Sequence, residues 1–233
     1  MSQAETTHGY LHLLRRRGVH WGVMHKILLT TACVTLLIWT ACKSEPSAKG
    51  SPASASAKPT RGPKPVPDSV AYLAGGCFWG VEYYMEQLPG VASVDSGYMG
   101  GHVASPSYEQ VSSHTTGHLE TVRVRFDSKQ VSFRQVAKRF FEIHDPTQAN
   151  GQGPDIGPQY ISAVFYTSDA QKKTAQELIT QLEQHGYHVV TKLLPAKKFW
   201  RAEEYHQNHY VRKGTKPYCH ARVRRFDKPI VKK

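Results

Sequence analysis

The sequence predicts an α/β two-layer sandwich (α+β in layering), with one mixed central sheet, helices packed on it and an irregular C-terminal tail. Three observations lead there. Strand-like and helix-like segments alternate from about residue 69 onward, the helical ones carry capping signals and one-sided apolar stripes, and after Gly214 the periodicity disappears. No internal repeat interrupts the alternation.

The first strand is Val-Ala-Tyr-Leu-Ala at 70–74, a short apolar run closed by Gly75-Gly76. A helix follows over 78–88 and stops at Pro89-Gly90, which puts Cys77 at a strand-to-helix turn. Val122, Val124 and Phe126 alternate with Arg123 and Arg125, the period of a strand with one buried and one solvated face. Ser132 with Gln135 forms a capping-box pair, and Phe133, Val136, Ala137, Phe140 and Phe141 share one face of the helix they open. A strand is expected over 160–166, then a helix capped by Ser168 and ended by Gly186. The last regular elements expected are a strand over 188–194 and a helix over 199–210.

The chain has 233 residues, 39% of them apolar, enough for one domain with a core plus a targeting segment. Residues 27–42 form an apolar run after His25-Lys26 and the more distant Arg15-Arg16-Arg17. It falls short of the about 20 residues a spanning helix needs and suits a secretory signal ending at Thr40-Ala41-Cys42. Small residues before a cysteine resemble a lipobox, with Cys42 as the residue to be acylated, although Trp39 stands where Leu is usual. Met24 would open a complete signal and is an alternative start; a short uncut anchor is the other reading. Ser, Ala, Pro, Lys and Gly dominate 43–68, which reads as a flexible linker. The expected organisation is a signal over 1–42, a linker over 43–68 and one folded domain over 69–233. The expected location is the periplasm, with the membrane reached only through the signal or a lipid.

Lys and Arg number 30 against 18 Asp and Glu, a formal charge of +12. Acids such as Glu82, Glu109, Glu142 and Glu203 interrupt the basic residues and no nucleic-acid motif accompanies them. The surplus therefore reads as a solvated surface, with no nucleic-acid partner expected.

Four cysteines are present, Cys33, Cys42, Cys77 and Cys219. None is in Cys-x-x-Cys spacing, so no metal site is expected from them. Cys33 falls inside the apolar run. Cys77 lies in Gly75-Gly76-Cys77-Phe78-Trp79-Gly80, where a helix N-terminus should favour thiolate over thiol and the two aromatics should wall the sulfur. Locally the same residues also suit a small cysteine buried in a turn. Three other readings stand beside a redox one. They are a cysteine hydrolase using His118, His144 or His206 as base, a metal site from His206 and His209 with Glu203 or Glu204, and a non-catalytic binding module.

Gly76-Cys77-Phe78-Trp79-Gly80 resembles the signature of the peptide methionine sulfoxide reductase A family. The similarity continues through Gly97-Tyr98-Met99-Gly100-Gly101, Ser105-Pro106-Ser107-Tyr108-Glu109, Thr116-Gly117-His118-Leu119-Glu120, His144-Asp145-Pro146, Gly153-Pro154-Asp155-Ile156-Gly157 and Gln159-Tyr160 to Tyr218-Cys219. It covers roughly 70 to 220 in order. The resemblance implies a ferredoxin-like fold and thiol-dependent reduction of methionine S-sulfoxide, free or in peptides, as repair of oxidatively damaged proteins. Cys77 would attack the sulfoxide sulfur and become a sulfenic acid, and Cys219 would resolve it as a disulfide. Glu120 would be the general acid, Tyr108 and Tyr160 would bond the sulfoxide oxygen, and Asp155 would orient a water or hydroxyl. Phe78, Trp79 and Tyr218 would contact the substrate. The resemblance further implies a monomer, no bound cofactor, and an external thioredoxin-like reductant. Ser105, Ser112, Ser113 and His114 depart from the family's usual residues in a connecting loop. Pro217 replaces a frequent Gly, which predicts a stiffer tail and slower disulfide closure.

Overall fold

The structure, a computed structural model, describes residues 67–227 and Pro229. The signal-like run, Cys42 and all of the linker except Pro67 and Asp68 lie outside the described residues. Asp68 anchors the start of the domain: its N–H donates to the Phe126 carbonyl at 3.2 Å and its carboxylate takes the Ser128 hydroxyl at 2.6 Å.

Strand β1 (Ser69–Ala74) leads through helix α1 (Phe78–Met85) to β2 (Val91–Met99), and the short α2 (Tyr108–Ser112) precedes β3 (Leu119–Phe126). Because β3 pairs antiparallel with both β1 and β2, it fills the gap left between two parallel strands. Helix α3 (Phe133–Ile143) then crosses to β6 (Ala163–Tyr166), which lies antiparallel on the far side of β1. The tiny hairpin of β4 (Gly151–Gln152) and β5 (Asp155–Ile156) interrupts that crossing. Two interleaved β-α-β units of this kind make the expected ferredoxin-like sandwich. Helix α4 (Asp169–Gln184) returns to β7 (Lys192–Pro195), parallel to β6, and β8 (Trp200–Arg201) joins the other edge before the short α5 (His209–Lys213). The sheet order is β7-β6-β1-β3-β2-β8.

Alternation decides which face is which. Ala71, Leu73, Val122, Val124 and Phe126 point at the helices and bury against Val81, Met85, Val136, Phe140, Phe141 and Leu178. Burying a side chain such as Phe140 contributes about 1.5–3 kcal/mol. On the opposite face Arg123 and Arg125 both reach Asp95, at 3.1 and 3.0 Å. Helix α3 starts as expected: Ser132 accepts from the Gln135 N–H, and Gln135 Oε1 takes the Ser132 N–H at 2.8 Å.

Four sequence expectations change. Helix α1 ends at Met85, and the Leu88 N–H closes a turn onto the Met85 carbonyl at 3.1 Å. The strand over 160–166 begins only at Ala163, because Pro158–Tyr160 form a 3-10 turn with proline at its start. The strand over 188–194 begins only at Lys192, since the Val190 N–H donates to the Pro146 carbonyl at 2.8 Å instead of to the sheet. The helix over 199–210 is absent. Trp200–Arg201 pair with the edge of β2, Glu204–His206 form a 3-10 turn, and Asn208 at φ 53 breaks the chain before α5. Strand β2 carries no clean alternation because Ser96–Met99 are buried on both faces of the sheet, and a register shift falls between Val91 and Ser93.

Candidate active site

Cys77 sits in the tight turn between β1 and α1. Gly76 adopts φ 94, and a Cβ there would collide with the Gln152 side chain, so only glycine lets the chain turn so close to the β4–β5 hairpin. The turn delivers Cys77 almost fully buried, at 7% exposure, and equally buried Cys219 lies against it. The two free thiols share a hydrogen bond. The tail reaches the site despite Pro217 and brings Cys219 within hydrogen-bond reach of Cys77.

The expected thiolate at Cys77 is not what this arrangement favours. The first N–H of α1, that of Phe78, donates to Glu120 Oε2 at 3.0 Å rather than to the sulfur. The Trp79 N–H does face the sulfur, but the hydrogen bond to Cys219, burial and the Glu120 carboxyl together push the Cys77 thiol up. Cys219 moves the other way. The Cys77 hydrogen bond and the adjacent His220 lower its pKa, against burial. In the resting pair Cys77 is the donor and Cys219 the acceptor.

Glu120 comes from β3, opposite Tyr98, and is 2% exposed. Burial foremost, helped by Asp155 and Cys219, raises its pKa to about 8 against the lowering effect of the Phe78 N–H. It is a protonated acid at neutral pH. Tyr108 opens α2 behind a Ser107–Gln110 capping box, and its N–H donates to Glu203 Oε1 at 2.9 Å. Tyr160 closes the 3-10 turn. Burial and then Glu120 raise the pKa of both phenols, which therefore stay protonated donors facing the carboxyl. The Tyr218 hydroxyl donates to Asp155 Oδ1 at 2.9 Å, while Asp155 Oδ2 is buried without a partner among the described residues. Six side chains from five separate stretches of chain thus converge: Cys77, Glu120, Tyr108, Tyr160, Asp155 and Cys219.

The proposed wall divides in two. Phe78 is buried beneath the surface against Tyr98 and His206, with ring centroids 5.9 and 5.0 Å away. Trp79 is partly exposed and held from both sides: its indole N–H donates to His206 Nδ1 at 3.1 Å and its ring stacks on His209 at 3.6 Å. Tyr218 is 68% exposed at the rim.

The histidines suggested as bases for a hydrolase are engaged elsewhere. His118 bridges the Gly101 N–H and the Val103 carbonyl, His144 bridges the Phe140 carbonyl and Ser162, and His206 receives Trp79. Of the suggested metal ligands, Glu203 is occupied by Tyr98 and Tyr108. His220 is a site residue that no motif in the sequence marks. His220 touches Cys219 Sγ at 3.1 Å, a contact the adjacent Cys219-His220 pair could have suggested.

Residues 69–233 match the family model described as peptide methionine sulfoxide reductase. The peptide methionine sulfoxide reductase MsrA of Saccharolobus solfataricus is 48% identical over 151 residues, 64% of this chain and 85% of that protein. MsrA of Thermus thermophilus is 45% identical over 155 residues, 66% of this chain and 88% of that protein. Among solved structures, reduced Mxr1 of Saccharomyces cerevisiae aligns with a TM-score of 0.61 at 34% identity, covering 66% of this chain and 90% of that one. Methionine sulfoxide reductase A of Corynebacterium diphtheriae aligns at 0.56 with 30% identity, covering 62% and 74% respectively. The chain belongs to the peptide methionine sulfoxide reductase family, as a thiol-dependent methionine sulfoxide reductase of the A type that repairs oxidised protein.

Proposed function

We propose that Cys77 attacks the sulfur of a methionine S-sulfoxide, free or in a peptide, while Glu120 protonates its oxygen. Tyr108 and Tyr160 donate to that oxygen as negative charge develops. The Cys77 proton passes to Cys219 Sγ, its hydrogen-bond partner, whose lowered pKa leaves it as the thiolate that can take the proton, so that Cys219 becomes a thiol as the new sulfur bond forms. Methionine leaves, and the oxygen stays on Cys77 as a sulfenic acid. Cys219 then displaces that oxygen as water and forms the Cys77–Cys219 disulfide. Asp155 orients Tyr218 at the rim, and Trp79, backed by the buried Phe78, walls the methyl group that distinguishes methionine from larger thioethers.

The single observation that carries this reading is the hydrogen bond between two buried cysteine sulfurs beside a buried, protonated Glu120. An acid and a pair of thiols together supply what sulfoxide reduction needs: a proton, two electrons and a place for oxygen to leave. A thioredoxin-like reductant would reopen the disulfide by thiol exchange, and a monomer suffices for the site. We further propose export to the periplasm and acylation at Cys42, supported by the apolar run at 27–42 and the lipid-signal pattern before Cys42. Radioactive fatty acid supplied to cells should label the chain and not its Cys42→Ser variant; an unlabelled wild type would remove the lipid anchor.

The test of the chemistry is incubation of the whole chain with a methionine sulfoxide peptide and no reductant. One methionine per chain should form, and tryptic mass mapping should find residues 77 and 219 joined. Methionine formed with Cys219 still free would remove its resolving role, and no methionine would remove the reading.

A further inference from the structure

His220 follows Cys219 in the chain, packs against the Gly75–Gly80 turn that carries Cys77, and is 4% exposed. Its Nε2 is 2.8 Å from the Gly75 carbonyl oxygen. A carbonyl can only accept, so Nε2 carries the hydrogen, and in the neutral ring the other nitrogen must be an acceptor. That other nitrogen, Nδ1, faces Cys219 Sγ at 3.1 Å. The sequence allows this proximity: a Cβ at Gly80 would collide with the His220 ring, so α1 packs on the imidazole through glycine. The Tyr84 hydroxyl, also from α1, donates to the His220 carbonyl at 3.4 Å. Ring orientation, tautomer and distance are thus set by β1 and α1, the elements that carry Cys77.

We infer that His220 is the base of the resolving step, taking the Cys219 proton on Nδ1 so that Cys219 attacks the sulfenic acid on Cys77. This rests on the reading of Cys219 as the resolving thiol. Each atom has a place. The Cys219 S–H bond breaks to Nδ1, and a sulfur–sulfur bond forms to Cys77 as its sulfur–oxygen bond breaks. The Cys219 sulfur is oxidised and the sulfenic sulfur reduced. The imidazolium proton goes to the departing hydroxide, which leaves as water. The other titratable groups facing Cys219 are Cys77 at the start of α1, Glu120 from β3, Asp155 from β5, Tyr210 from α5 and Tyr218 beside it. Beside these groups, His220 is the one that sets a nitrogen lone pair against the sulfur, at 3.1 Å. A base in such contact contributes on the order of 10²–10⁴-fold to a proton-coupled step.

The test is a single turnover of the full-length chain with a methionine sulfoxide peptide and no reductant, following methionine by chromatography and the disulfide by mass in the same quenched samples. In His220→Gln, disulfide formation should slow on the order of 100-fold relative to methionine formation. The sulfenic acid should then accumulate and be trapped by dimedone. The disulfide rate of the variant should climb about tenfold per pH unit below the ordinary thiol range, near 8.5, because free thiolate must then do the work. The wild type should lack that slope. His220→Ala with added imidazole provides a second route, and recovery of the disulfide rate is expected. A His220→Gln disulfide rate and pH slope equal to the wild type's would overturn the inference. A wild type that makes methionine without ever joining Cys77 to Cys219 would instead overturn the reading beneath it.

Discussion

Glu120→Gln separates catalysis from stability in opposite directions, and the structure supplies both magnitudes. The carboxyl is 2% exposed and its pKa rises from 4.5 to about 8, chiefly by burial. Below pH 4.5 folded and unfolded chains are both protonated there, so stability does not vary through this group. Between about 4.5 and 8 the unfolded chain releases a proton that the folded chain keeps, and wild-type stability falls as pH rises. Above about 8 both forms are ionised and the slope ends. By pH 7 the difference amounts to roughly 3 kcal/mol at about 1.4 kcal/mol per unit. Glutamine has no proton to release, and its amide oxygen can still accept the Phe78 N–H. Urea unfolding under reducing conditions at pH 4.5, 6, 7 and 8 should therefore show the variant gaining on the wild type by about 3 kcal/mol between pH 4.5 and 7. Methionine formation should meanwhile fall on the order of 10²–10⁴-fold, because the amide is no acid. A stability difference that stays flat from pH 4.5 to 8 would refute the buried, protonated carboxyl. An active variant would show that another group supplies the proton.

The wild-type rate of methionine formation should decline as pH rises through about 8, as Glu120 ionises; stopped-time assays in a constant-ionic-strength buffer series would measure it. Tyr108→Phe and Tyr160→Phe each remove one hydroxyl facing Glu120 and should each lower kcat on the order of 10²-fold, read from steady-state kinetics with a reductant. Gly80→Ala pushes a methyl into the His220 ring. It should cost about 1–3 kcal/mol in unfolding experiments and slow disulfide closure more than methionine formation.

The N-terminal turn of α1 shows how a local rule was overruled. A cysteine before a helix ordinarily sees its free N–H groups, and the sequence reading took Cys77 as a thiolate on that basis. In the fold, a carboxyl from β3 takes the Phe78 N–H and a second sulfur takes up the Cys77 thiol. Neither partner is near in sequence, at separations no local pattern can register. The 199–210 segment failed similarly. Its spacing of aromatic and charged residues allowed a helix, but the open edge of β2 drew Trp200–Arg201 into the sheet. By contrast, α3 and α4 appeared with their caps because Ser132, Gln135 and Ser168 act within one helical turn.

By itself the sequence determined the alternating sandwich and the strand-to-helix turn that holds Cys77, and motif resemblance singled out six residues that the fold brings together. Those are properties of local spacing and residue type. Only the tertiary structure decided which sulfur donates and which accepts, that Glu120 is sealed from water, and that His220 packs on the Cys77 turn with Nδ1 toward the Cys219 sulfur. Each of these depends on distances between groups brought together by β1, β3, α1 and the returning tail. Burial and hydrogen-bond direction arise only once those elements have packed.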